Sequence, residues 1–513
     1  MSDSELSLSG VSPRMAGFSV QLALRWLPAL FILLCAMVAR NGAVLNTDNS
    51  WLLSLGERWL AGEVPYVDFI EVNPPASILL YMPAVLAGHW LGVAPEFCVT
   101  VLMFAGVLLS LVLTERILRR AGLLTSVTAP WWATACVFLF LLLPGYVFAQ
   151  REHIAAVLVL PVLAIYATAL AGRPARWPAQ IAAGLAGGVC VAIKPYFGFA
   201  LLLPLAFAFF SLQGAWTPRL KLLFGPVNLV IAAIVAAYAA VVALCFPAFT
   251  HDILPLVLAV YVPVKIPLLL ALAWAAKCWL PGPFLLLRVV EPNRRPAPLL
   301  ILLILASLGF AIALVIQGKA WPYHVFPTLT LGILVLFCGL AEAVLAGRVR
   351  LLAPAIVAAM LGCAAMTAYA SYLFSSISYA PNLVTEVRKL GIAHPKILTI
   401  SSDIALGHPL TREVGGQWVD RLCSHWITVN ADVMLTDGRT LSAEERTRLE
   451  AFAAFDRASL LKDIAQRQPD IILVEENWWR RWGAPAPEIV AALNAYREVT
   501  SVEGVTILRR GAS

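Results

Sequence analysis

Residues 46–83 read NTDNSWLLSLGERWLAGEVPYVDFIEVNPPASILLYMP and lie between apolar runs at 20–40 and 96–120. Five acids fall in the stretch 41–75: Asp48, Glu57, Glu63, Asp68 and Glu71. Charge of that density does not belong in hydrocarbon. Over 49–62 the apolar residues recur at helical spacing with Glu57 and Arg58 on the other face. That pattern predicts an amphipathic helix lying on a membrane surface. Pro74-Pro75 then opens 76–92, an apolar piece that reads as a second interfacial or re-entrant helix. The alternative is a true span at 76–92, which would invert every element after it and strip the inside loops of positive charge.

Working outward, the composition shows what this loop is set in. The 513 residues are 60% hydrophobic and 13% charged, about half the charge of an ordinary soluble protein. The deficit is uneven. Residues 1–375 hold 21 Lys and Arg and 13 Asp and Glu, whereas the last 138 residues hold 16 and 17. The chain therefore divides into a membrane body, 1–375, with an outer loop at 41–95, and a soluble domain, 376–513. The net charge of +7 lies in the apolar part and forms no basic patch, so nucleic acid is not an expected partner. Eight of the nine cysteines lie in or beside apolar runs and act as small hydrophobes. The absence of CxxC and HExxH excludes the zinc motifs. The N-terminus does not read as a cleavable signal, because about 20 polar residues precede an apolar run long enough to span.

Apolar runs of spanning length number eleven: 20–40, 96–120, 129–147, 153–171, 179–194, 197–212, 222–246, 266–288, 298–316, 324–346 and 352–375. With the N-terminus in the cytoplasm, the inside loops collect fourteen Lys and Arg and the outside six (Arg40, Arg58, Arg151, Lys194, Lys265, Lys319). The positive-inside rule supports that orientation. An odd number of spans puts the tail outside. Within the tail, ILTIS (397–401) and DIILVEE (470–476) read as strands around a helix near 443–467, with a last strand at 498–509. This is a small α/β unit without a phosphate loop or GxGxxG. Its Asp403/His408 pair reads as loop chemistry.

Ionisable residues at membrane depth are functional by default. Four clusters sit at the outer ends of spans: Asn46–Ser50, Gln150-Arg151-Glu152-His153, Lys194-Pro195-Tyr196 and Lys319–His324. All face one compartment, so they can converge on one cavity. Two acids with several cations at the lipid interface suit transfer from an anionic lipid: a carboxylate takes the acceptor's proton while cations hold a departing phosphate. Any single outer Arg or Lys also reads as an anchor that snorkels to water, and Arg40 and Arg58 are assigned to that class. His153 also reads as a helix-end residue, and Trp321 as part of an aromatic belt.

The acid after the first span, followed by LAGEVPYVDFIEVNPPASILLYMP, resembles the first external loop of GT-C superfamily glycosyltransferases, such as the lipid A aminoarabinose transferases and protein O-mannosyltransferases. Asp48, Pro65-Tyr66, Asp68 and Asn73-Pro74-Pro75 occupy matching positions, and GGVCVAIKPYFG and GKAWPYHVFPTL resemble later pieces. One departure is that Asp48 stands between Thr47 and Asn49 where many relatives carry paired acids.

The resemblance implies an α-helical polytopic body with a small outer α/β domain, in a bacterial inner membrane. It also implies inverting transfer of a sugar from a polyprenyl-phosphate donor to a lipid, glycan or protein acceptor. Asp48 would be the base. Arg151, Lys194, Lys319 and His324 would bind the lipid phosphate, with Tyr323 hydrogen-bonding it. Glu152 would orient Arg151 or join Asp48 on a divalent cation such as Mg or Mn, which the carboxylate count allows but no spacing demands. Tyr66, Asp68 and Glu71 would belong to the acceptor side or its loop. Rival readings are a polysaccharide polymerase or ligase and a lipid-linked sugar flippase, although no internal repeat of the transporter kind is present.

Overall fold

The computed structural model describes residues 24–41, 44–214, 216–284, 297–319, 321–345 and 381–511. Among these described residues, five helices are each long and apolar enough to cross a membrane: Pro95–Arg120, Arg151–Leu170, Trp216–Cys245, Pro298–Gln317 and Pro322–Ala341. Shorter apolar helices occupy Leu27–Arg40, Ala129–Leu142, Trp177–Ile193, Pro195–Ser211, Phe249–Tyr261 and Leu268–Phe284. Large apolar side chains such as Leu109, Phe210, Leu244 and Leu269 are exposed on this body, as a lipid-facing surface requires. The expected span 352–375 and the boundary at 375/376 lie outside the described residues.

Two corrections concern the body. The run at 129–147 yields a helix only to Leu142, because Pro144 and the left-handed Gly145 end it. The sequence reading placed nothing between 246 and 266, yet Phe249–Tyr261 is helical, alternating π and α turns. Residues 76–92 form two short helices, Ala76–Leu79 and Met82–Leu91. Ten residues of helix rise about 15 Å, half of a hydrocarbon core of about 30 Å. Neither helix alone has the length of a span.

The helix Arg151–Leu170 is buried on nearly every side, as expected of a helix that is apolar all round. It packs against Pro95–Arg120, Trp177–Ile193, Phe199–Ser211, Pro298–Gln317 and Pro322–Leu345. Pro161 cannot donate to the carbonyl of Val157, and Ser110 Oγ supplies that bond instead at 2.8 Å. The glycines of GGVCVAIKPYFG serve packing. A Cβ at Gly187 would lie 2.8 Å from Ile231 Cδ1, and one at Gly188 2.7 Å from Ile234 Cδ1. Only small residues let the helices Trp177–Ile193 and Pro226–Cys245 approach so closely.

Beyond residue 381 the chain forms a five-stranded sheet. Its strands are β1 (Lys396–Ile400), β2 (Gln417–Trp418), β3 (Ile471–Glu475), β4 (Tyr496–Val502) and β5 (Val505–Arg510), in the order β2-β1-β3-β5-β4. β1 runs parallel to β2 and β3, while β5 is antiparallel to β3 and β4. Side chains alternate between two buried faces: Leu398, Ile400 and Ile472 meet Leu460 and Ile464, whereas Ile397, Ile471 and Leu473 meet Leu383 and Val387. The helix Ala443–Arg467 starts from a capping box in which Ser442 and Glu445 satisfy each other's backbone. The expected last strand is instead a hairpin that turns at Glu503-Gly504, both left-handed, as a two-residue type I′ turn requires.

The α/β unit is tied to the outer loop. Arg412 pairs with Glu57 and Glu96, each at 2.5 Å. Glu63 takes Arg58 on one oxygen and Arg467 on the other, both at 2.7 Å. Arg58 also donates to the Asp420 carbonyl at 2.6 Å, and Ile70 N to the Arg421 carbonyl at 2.8 Å. Arg58 is therefore no snorkelling anchor: it is buried beneath the second domain. For the same reason the interfacial helix, observed at Thr47–Leu60, is buried on both faces.

Candidate active site

Asp48 does not cap the first span, as the sequence reading had it. Seven residues separate it from Arg40, and it sits in the first turn of Thr47–Leu60, whose N-cap Asn46 accepts from Asn49 N. Asp48 Oδ2 accepts from Arg151 Nη2 at 3.1 Å and lies 3.4 Å from Gln150 Nε2. Among the described residues its Oδ1 takes no such contact. Asp48 lines a cavity of about 470 Å³ at the junction of the two domains, with Thr47, Glu71, Gln150, Arg151 and Tyr323 from the body and Ser402, Asp403 and Ser424 from the α/β unit.

A smaller cavity of about 180 Å³ is lined by Lys194, Lys265, Gln317, Lys319, His324 and Arg151. Among the described residues, Arg151 is the one charged side chain that lines both. It is 5% exposed, and its Nε and Nη1 carry no partner among the described residues. Two donors held ready in a buried site are what an incoming anion needs.

Glu152 stands behind these walls. It does not meet Arg151, as expected, but accepts from Lys194 Nζ at 2.5 Å, with His324 Nε2 at 3.7 Å. Lys194 also donates to Gln317 Oε1 at 3.0 Å. Lys319 Nζ donates to the carbonyls of Tyr261 (2.6 Å) and Val264. Burial, aided by Lys265, pushes the Lys319 ammonium down to about 8. His153 belongs to the wall: its Nδ1 accepts from Ala149 N, so Nε2 bears the proton and donates to the Phe140 carbonyl.

Of the acceptor-side candidates, only Glu71 lines the cavity; it accepts from Trp51 Nε1 at 2.7 Å. Tyr66 packs on Phe246 and Phe249 and donates to the Asn73 carbonyl. Asp68 closes its own turn by accepting from Val64 N. Neither reaches the cavity. Asp48 and Glu152, the carboxylates suggested for Mg or Mn, are each engaged by a cation, and no three ligands converge among the described residues.

Sequence reasoning placed Gln150 in a polar cluster but gave it no role, and it missed Gln317 and the contribution of the α/β unit. It also missed the buried His425, whose Nδ1 lies 2.7 Å from Asp456 and whose Nε2 lies 3.3 Å from Asp420. Burial opposes the charge on His425, but the two carboxylates outweigh it and hold the imidazolium well above its ordinary range. His425 follows Cys423 and Ser424 in the chain, so this network fixes part of the cavity wall. Asp403 lines the cavity, whereas His408 is buried between Trp51 and Trp418, with both ring nitrogens free of hydrogen bonds. They are not a pair.

A polytopic helical body, an interfacial loop helix, and an α/β unit closing a charged cavity together make a GT-C-like fold. The structure is similar to that of ArnT from Cupriavidus metallidurans bound to undecaprenyl phosphate, with TM-score 0.54 and 13% identity over 97% of this chain and 98% of that one. The apo state of the same protein gives TM-score 0.55 and 12% identity over 96% and 98%. No family model matches the sequence, and no curated protein does.

Proposed function

We propose that this protein is a multi-pass membrane glycosyltransferase that moves a sugar from a polyprenyl-phosphate donor to an envelope lipid, glycan or protein acceptor. The observation that carries this reading is the pair of adjoining cavities, one presenting a carboxylate and the other cationic, with Arg151 shared between them. An undecaprenyl phosphate ligand in the similar ArnT structure supports the choice of donor. The protein lies in the inner membrane with its α/β unit on the outer face, in keeping with the loop charges.

Asp48 takes the proton of the acceptor hydroxyl through its uncommitted Oδ1 while Arg151 fixes the carboxylate's orientation. The acceptor oxygen attacks C1 of the sugar from the face opposite the phosphate. The bond from C1 to the phosphate oxygen breaks, and its electrons leave with the polyprenyl phosphate. Arg151, Lys194, Lys319 and His324 surround that departing charge, with the Tyr323 hydroxyl beside them. Glu152 acts through Lys194, holding its ammonium at the cavity edge.

Asp48→Asn preserves shape and removes the base, so turnover with a polyprenyl-phosphate sugar should fall by about 10²–10⁴ while undecaprenyl phosphate still binds. Parental turnover in this variant would remove Asp48 from the mechanism. Full activity of Asp48→Asn, Arg151→Gln and Lys194→Met alike would move the reaction away from these cavities, and absence of transfer from any polyprenyl-phosphate sugar by wild type would remove the transferase reading.

A further inference from the structure

The larger cavity has walls of two origins, and they differ in charge from the smaller one. The smaller cavity is lined by Lys194, Lys265, Lys319 and His324. In the larger, the charged residues are Asp48, Glu71 and Asp403, with Arg151 at the boundary. A lobe with three carboxylates repels a phosphate and attracts hydroxyl donors. Aromatic rings, including Trp51, Trp321 and Trp426, line the same lobe. Rings beside fixed hydrogen-bonding groups suit a small polar ligand that also has an apolar face.

The α/β unit offers this lobe the carboxyl ends of β1 and β2, through the turn Ser402–Ala405 and the loop Cys423–Trp426. Ligands of parallel sheets collect at those ends. The β1 turn is braced. Asp403 N donates to Ser401 Oγ at 2.9 Å, Ser401 Oγ to Glu475 at 2.5 Å, and Ser424 Oγ to the Ser402 carbonyl at 3.1 Å. Asp403 Oδ1 accepts from Ala405 N at 2.8 Å, leaving Oδ2 without such a bond among the described residues. From the body, Gln150 lines the same lobe. It is 1% exposed, and its Oε1 has no partner, a cost that a bound hydroxyl would remove.

From these features we propose that Ser402 and Asp403, with Gln150, form a subsite for the hydroxyls of a glycosyl group, so that the α/β unit selects the sugar. The inference rests on the transferase reading. Hydroxyls of that chemistry come from the donor's sugar or from a glycan acceptor, and the test separates the two.

Asp403→Asn retains the helix cap, because Asn caps as well as Asp; Ser402→Ala is the second variant. Full-length protein in nanodiscs is assayed for equilibrium binding of undecaprenyl phosphate and of undecaprenyl-phosphate-linked hexose and pentose. Wild type should bind one glycosylated lipid more tightly than the bare lipid. Asp403→Asn should keep the affinity for bare lipid and lose about tenfold or more for the glycosylated one, as expected for lost hydrogen bonds to a charged group. Ser402→Ala should lose less. Unchanged donor binding with a KM for a glycan acceptor raised about tenfold assigns the subsite to the acceptor. If both variants match wild type for every donor and acceptor, the subsite is overturned. If wild type fails to bind undecaprenyl phosphate, the transferase reading falls instead.

Discussion

Glu152→Gln tests how the cationic cavity is held together. The carboxylate is 1% exposed, its partner Lys194 is 6% exposed, and the two meet at 2.5 Å. Neutralising Glu152 leaves the Lys194 ammonium buried with only neutral amide oxygens, at positions 152 and 317, as side-chain acceptors. Breaking a buried pair from one side costs about 3–5 kcal/mol, whereas replacing both partners with neutral or apolar groups is often close to neutral. A chain this large will not unfold in two states, so the readout is apparent Tm of the purified protein. At about 1–2 °C per kcal/mol for so long a chain, Glu152→Gln should lower Tm by roughly 5 °C. The double variant Glu152→Gln/Lys194→Met should recover most of that loss while remaining unable to use a polyprenyl-phosphate donor. Additive losses in the double variant would refute the pairing. Recovery of both stability and donor use would show that Lys194 serves the pair alone and has no role at the phosphate.

Three further outcomes are expected. Lys319 is charged below about 8 and neutral above it, so the KM for donor should rise between pH 7 and 9 in wild type and stay flat in Lys319→Arg; a flat wild-type profile removes Lys319 from phosphate binding. The raised value of His425 means that its stabilisation is complete below the unfolded value of about 6.5 and is lost as pH rises through the folded one. The Tm difference between wild type and His425→Gln should accordingly shrink with rising pH, and a constant difference would refute the network's charge. A cysteine at the exposed position Glu444 should react in intact spheroplasts with a reagent that cannot cross membranes, and protection there would reverse the orientation.

Local pattern was enough for whatever depends on local chemistry. The apolar runs mark helices because a 3.6-residue repeat and the length of a span are local properties. Ser442, Glu445 and the 443–467 pattern define a capped helix in the same way, and ILTIS and DIILVEE define β1 and β3. The four polar clusters at helix ends were visible because charge stands out in apolar sequence, and the structure places members of each beside the two cavities. Partners were not visible. Nothing local shows that Glu152 meets Lys194, 42 residues away, rather than its neighbour Arg151.

The pairing of Arg58 with the Asp420 carbonyl spans 362 positions, and Asp403 reaches the cavity only because Arg412 and Arg467 dock the α/β unit on the loop. Sequence alone marked the apolar helical body, the acid-bearing loop at 41–75, the strands and helix of the α/β unit and the residue types that line the cavities. Tertiary structure alone decided which acid faces the cavity, which is locked in an ion pair, and that the tail closes the site. The physical reason is range. Hydropathy and helical period act within a turn or a span, whereas ion pairing and cavity walls depend on side chains that folding brings together from distant parts of the chain.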